Sequence, residues 1–272
     1  MAISNIALTS AMRANLYSLQ KTTDLMELTQ NRLSTGKKVN SALDDPIAYF
    51  AAEAHTQRAT DLSVLKDEMG EGIQTITAAN NGIESITDLV ASAKSLAQAA
   101  LASSSQTEID SYAVQVDALL GQIDDLAGDS GYKGTNLLDA AGSLTINFNE
   151  DASSSLTVAG FDASSTGLGI ADATGLWTND TAIQATITQL DTARSTLRDN
   201  SKTLSSDLST VTIREDFTDK MTNTLSDGAA NLTLADMNEE GANMLMLQTR
   251  QALGTTSLSL ASQAAQSVLR LF

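Results

Sequence analysis

The sequence predicts a mainly α fold of long, antiparallel, coiled-coil-like helices, with the N- and C-terminal helices paired and a small β-hairpin region between. Three observations predict it. Apolar residues recur every seven positions at both ends and through the body of the chain. One proline, Pro46, stands in 272 residues, so little removes a helix's backbone donors. Aromatics make up 4% of the chain against 42% apolar residues, so Ala, Leu, Ile, Val and Met carry the burial, which suits thin helix-on-helix seams.

From Ile3 to Ser34 the apolar positions include Ile6, Leu8, Met12, Leu16, Leu19, Met26 and Leu33, with the last three seven apart. This reads as an amphipathic helix that Gly36 stops, with Lys37 and Lys38 near its negative end. Residues 36–47 form a non-helical connector, in which Asp44 and Asp45 precede Pro46 in the first turn of the next helix.

That next helix carries the clearest repeat. Leu62, Met69, Ile76, Ile83, Val90 and Ala97 form one series, and Leu65, Gly72, Ala79, Ile86, Ala93 and Ala100 the other. Alanine and glycine at the seam imply close helix approach. Residues 103–110 break the pattern, with Ser105 or Thr107 as candidate caps. Ile109, Ala113, Val116, Leu120, Ile123 and Ala127 then mark a shorter helix ending near Gly128.

Glycine, serine, threonine and asparagine become frequent over residues 129–175. Leu144, Ile146 and Phe148 alternate, as do Leu156 and Val158, and Leu168 and Ile170, which reads as short half-exposed strands. Helical spacing resumes at Ile183, Leu190, Leu197, Leu204 and Val211. Asp227-Gly228 reads as a hinge before a last segment bearing Met246, Leu253 and Leu260, then Ala264, Val268, Leu271 and Phe272.

The formal charge of −17 makes nucleic acid and anionic membranes poor partners. Lys133 is the only base between Lys94 and Arg194, while Arg13, Lys21, Arg32, Lys37 and Lys38 fall in the first forty residues. The acidic middle is therefore expected to face water and the near-neutral ends to face protein. Cysteine is absent, so no disulfide framework or thiolate metal site exists. His55 is the only histidine and reads as a helix-surface or core residue, not a metal ligand. Asp44-Asp45 and Asp124-Asp125 are adjacent acids, but neighbours on a helix do not face each other. No nucleophile or phosphate loop accompanies them, so no enzyme activity and no cofactor are expected. Residues 1–15 show no basic segment followed by an apolar core, so no cleavable secretion signal is expected. No run of 18 apolar residues suggests a membrane span.

Three segments carry a family resemblance. NRLSTGKKVNSALDDP, Asn31 to Pro46, resembles the connector signature of bacterial flagellins. GYKGTNLLD, Gly131 to Asp139, is similar to the family's turn between helices and hairpins, with Tyr132 where a phenylalanine is usual. Leu245 to Phe272 resembles the family's C-terminal segment. The resemblance covers roughly residues 1–140 and 176–272.

It implies a minimal flagellin without large outer domains, the structural subunit of the flagellar filament. Residues 1–40 and 230–272 would form the inner terminal coiled coil, 41–140 and 176–229 a rod-like helical domain, and 141–175 its hairpin part. Arg32, Leu33, Ser34, Gly36, Asn40, Asp44 and Asp45 would form the assembly motif. Leu19, Met26, Leu33, Met246, Leu253 and Leu260 would line the inner seam. Implied partners are further copies of the chain, hook-associated junction and cap proteins, and an export chaperone. Secretion would be unfolded, through the flagellar type III apparatus. A receptor-facing stretch of the family aligns near Lys94 and Leu96, where Ser92 and Ser95 replace charged residues, so weak recognition by the animal immune receptor is expected. A hook-filament junction protein or a flagellin-like surface adhesin are the alternatives.

Overall fold

The computed structural model describes residues 10–269. The expected stripe residues Ile3, Ile6, Leu8, Leu271 and Phe272, and the side chain of Val268, lie outside the described residues. Five helices and one hairpin follow in the order α1 (Ser10–Thr35), α2 (Pro46–Ala102), α3 (Gln106–Asp129), β1 (Ser143–Asn147), β2 (Ser155–Ala159), α4 (Asp180–Thr233) and α5 (Met237–Leu269). The fold is thus mainly α, with one small antiparallel sheet. Two compact units divide it: residues 1–57 with 224–272, and residues 58–223. No helix of the described residues is long and apolar enough to cross a membrane.

In the second unit the heptads do what their spacing implies. Met69, Ile76, Ile83, Val90 and Ala97 of α2 are buried, with Ala79, Ile86, Ala93 and Ala100. Ile109, Val116 and Ile123 of α3 join the same core, as do Ile183, Leu190, Leu197, Leu204 and Val211 of α4. Burying a Leu or Ile side chain contributes about 1.5–3 kcal/mol, so these series supply most of the unit's cohesion. Lys66–Asp219, Asn80–Ser201 and Lys94–Asp191 are polar rungs between α2 and α4. Numbers rise along one helix as they fall along the other, so the two run antiparallel.

The hairpin pairs Leu144 with Val158 and Ile146 with Leu156. It buries Ile146 and Val158 and leaves Thr145 and Thr157 outside, with their hydroxyls 3.3 Å apart. Gly72 of α2 takes part here. A Cβ on it would lie 2.5 Å from Ile146 Cδ1, so this expected seam position receives the hairpin.

Two expectations are corrected. Leu168 and Ile170 are buried but form no strand, because Gly169 at φ +72° turns the chain, and the Leu168 and Ile170 amides donate to Ser164 and Ser165 carbonyls. Asp227-Gly228 is no hinge: α4 runs through it to Thr233. A helical glycine costs about 1 kcal/mol, which neighbouring turns absorb, and Gly228 lies beside His55, which is half-buried in the first unit.

The acidic middle is less idle than its charge suggests. Asp117 of α3 accepts the Ala173 and Thr174 amides at 2.6 and 2.9 Å, and Asp124 accepts the Ser165 amide at 2.7 Å. These carboxylates, seven residues apart on one helix face, hold the chain between β2 and α4. Trp177 closes that segment, fully buried, its indole N–H donating to Thr186 Oγ1 at 2.9 Å.

Candidate functional site

The first unit is built on the pairing of α1 with α5. Arg32 reaches Glu240 and Asn15 reaches Ser257, each at 2.9 Å, so these two helices also run antiparallel. The α1 positions turned inward are Met12, Leu19, Thr22, Met26, Thr29 and Leu33, which are buried or half-buried. Leu19, Met26 and Leu33 therefore lie where the heptad spacing puts them. On α5 the corresponding positions are Glu240, Met244, Leu247, Gln251, Gly254 and Leu258. At Gly254 α1 approaches closely, since a Cβ there would lie 2.7 Å from Leu19 Cδ2.

Met246, Leu253 and Leu260 do not share that face. They are 55%, 67% and 62% exposed, and Leu245 is exposed beside them. This corrects the expected α5 seam by one position, or about 100° around the helix. The reason is steric: close pairing at Leu19 takes the glycine at 254, and the bulkier stripe is left outward. Leu16, Tyr17, Leu25 and Leu28 of α1 are exposed as well.

The connector is stitched to the turn between α4 and α5. Gly36, at φ +70°, ends α1 with its amide on the Arg32 carbonyl at 2.8 Å. The amides of Lys38 and Val39 donate to the Thr233 carbonyl, and that of Ala235 to the Gly36 carbonyl. Val39 is buried, Leu33 half-buried and Ser34 exposed. Asp44 Oδ2 accepts the amides of Asn40 and Ser41, both at 2.9 Å. Those donors, Asn40's first, hold its carboxyl below the usual 3.8. Asp45 Oδ1 caps α2 by accepting the Ile47 and Ala48 amides at 3.0 Å. Asp236 caps α5 in the same way through Asn238 and Glu239.

Arg32 stands between these parts. It lines a cleft of about 400 Å³ with Lys38, Asp44, Asp45, Asp236 and Glu239. Its Nε is buried without a hydrogen-bond partner. Thus the structure brings together Arg32, Asp44 and Asp45 from the connector motif, and adds Glu240, Thr233 and Asp236, which spacing alone did not single out. A signal existed in Glu240, which lies seven residues before Leu247 and fourteen before Gly254.

Residues 3–143 match the family described as the bacterial flagellin N-terminal helical region. Flagellin FljM of Caulobacter vibrioides is 31% identical over 274 residues, covering 100% of both chains. The chain belongs to the flagellin family. Flagellin FljK of the same organism is 30% identical over 274 residues, again covering 100% of both chains, and a flagellin of Brucella melitensis is 27% identical over 282 residues, covering 99% of each.

Among the described residues of this flagellin no group of three His, Cys, Asp or Glu side chains could hold a metal ion. The adjacent acids have structural occupations: Asp44 and Asp45 hold the connector, Asp124 holds Ser165, and Asp125 accepts from Gln122. In the second unit, Lys94 Nζ binds both oxygens of Asp191, at 2.6 and 2.8 Å, and Leu96 packs half-buried against the core.

Proposed function

We propose that this flagellin is the repeating subunit of a bacterial flagellar filament that drives swimming, and that its working surface is its own subunit interface. One observation carries this: two paired terminal helices leave a heptad stripe of large apolar residues, Met246, Leu253 and Leu260, in water. Patches of that kind mark interaction surfaces. A two-helix pair has no second face to cover the stripe, and further copies of the same pair do. Heterologous contacts of this kind extend into open helical polymers.

In this reading residues 1–40 and 230–272 form the inner layer of the filament, 41–140 and 176–229 the rod-like layer, and 141–175 its hairpin part. Arg32, Asn40, Asp44 and Asp45 make subunit contacts in the filament core. The protein acts as a structural element outside the cell, not as an enzyme. It leaves unfolded through the flagellar type III apparatus with an export chaperone, and it meets hook-associated junction and cap proteins at the filament's ends. A chain without cysteine suits that route.

Electron microscopy of the purified full chain under polymerising conditions tests the reading. Long filaments of flagellar width are expected, and persistent monomers would reject it.

A further inference from the structure

Two patches of the second unit are electrostatically unfinished. Arg194 and Arg198 of α4, one turn apart, line an open groove of about 710 Å³ between α2 and α4, with Lys202 one turn further on. Among the described residues of this unit the other bases are engaged. Arg58, Lys66, Lys94, Lys133 and Lys202 hold carboxylates, Arg214 lies over the Phe148 ring, and Lys220 has a partner of its own. Among the described residues Arg194 and Arg198 have neither an ion pair nor a ring partner, although Glu84 and Asp88 line the same groove. In a chain with 33 acids and 16 Lys and Arg, two unpaired arginines side by side are out of keeping.

The second patch is the C-terminal end of α3. Asp125 and Asp129 are exposed there, and no base occupies the last turn. Carboxylates at the negative end of a helix dipole repel it and gain when a cation approaches. Asp125 accepts only from Gln122 of its own helix.

The two patches flank α2 at one level but on opposite sides. A Cβ on Gly82 would meet Leu138 Cδ1 at 2.7 Å and the Ser130 side chain that follows α3. Glu84, in the groove, is two residues on, about 200° around the helix. One chain cannot close the two patches on each other, whereas neighbouring copies set side by side can. Each then offers its groove to one neighbour and its α3 end to the other, an open-ended heterologous contact.

We propose that the Arg194–Arg198 groove of one copy receives the Asp125- and Asp129-bearing end of α3 of the next. This rests on the filament reading and names a lateral contact within it. Arginine suits the task, because its fork of donors binds carboxylates in two places at once.

Pelleting assays on the full chain across a salt series test the contact. R194E/R198E and D125R/D129R should each raise the critical concentration roughly five- to tenfold at low salt. The fourfold charge swap should return it close to that of the unaltered chain. Unchanged Trp177 emission would confirm folding in each case. In unaltered filaments assembled from two isotopic forms, a carbodiimide should join Lys202, beside the arginines, to Asp125 or Asp129 of a different copy. Both double variants assembling normally, a swap no better than either, or filaments lacking that cross-link would overturn the contact alone. An unaltered chain that never pellets would overturn the filament reading and the contact with it.

Discussion

The Arg32 guanidinium and the Glu240 carboxylate meet at 2.9 Å across 208 residues of chain, and this ion pair ties the end of α1 to the start of α5. The carboxylate is nearly buried and the guanidinium about one-third exposed. Removing either partner strands the other, which costs more than the pair's net worth. With the arginine partly in water, Arg32→Ala is expected to cost about 1–2 kcal/mol. Limited proteolysis should then cut the first unit faster while the second resists. Filament formation should suffer more than secretion, and equal proteolysis of both proteins would contradict the assignment.

The α5 register can be tested by truncation. Leu247 is buried and Leu253 is not. Leu247→Ala should lower monomer stability by about 2–3 kcal/mol, whereas Leu253→Ala should change it by less than about 0.5 kcal/mol. Polymerisation should show the reverse emphasis, with Leu253→Ala raising the critical concentration while leaving the monomer's melting unaltered. Denaturant titration and pelleting of the same samples check both halves.

Asp44 gives the connector an acid limit. Its carboxyl is held below the ordinary 3.8 by the amides of Asn40 and Ser41. A depressed carboxylate contributes stability that is present above its unfolded value and lost as pH falls through its folded one. The Asn40 and Ser41 amide resonances should therefore move together in one titration with a midpoint below 3.8. Asp44→Asn should remove that transition, and a midpoint at or above the ordinary value would contradict the hydrogen bonding.

Gly70 and Gly82 lie in the same helix but should respond oppositely to alanine. Nothing would touch a Cβ at Gly70, so Gly70→Ala should stabilise by about 0.5–1 kcal/mol through helix propensity. At Gly82 the added methyl meets Leu138 and the Ser130 side chain, and overpacking of that kind costs about 1–3 kcal/mol. Thermal melts of the two variants should move in opposite directions, and stabilisation by both would show that the Ser130 and Leu138 side chains yield to accommodate the methyl.

Heptads at Met69–Ala97 and Ile183–Val211 were legible from spacing alone, because each series is long and its partner lies within the same chain. The β-hairpin was legible at Leu144–Ile146 and Leu156–Val158 from their alternation, each strand's partner being close by in the chain, but not the turn at Leu168–Ile170. There burial, not pleating, explains the apolar alternation. The connector was legible as a motif, and its partners Thr233, Asp236 and Glu240 were not. They lie some two hundred residues away, and nothing local marks which carbonyl a turn will meet.

By itself the sequence determined that long apolar stripes exist at both ends, that a small hairpin interrupts the helices, and that the chain belongs among flagellins. Periodicity records which residues share a face, and that survives without knowing any partner. Tertiary structure alone decided which stripe each face meets. On α5 the small residue at 254, not the large ones at 246, 253 and 260, turns toward α1, because two backbones can approach only where a side chain is missing. The large residues are thereby left exposed on the outer face of the pair.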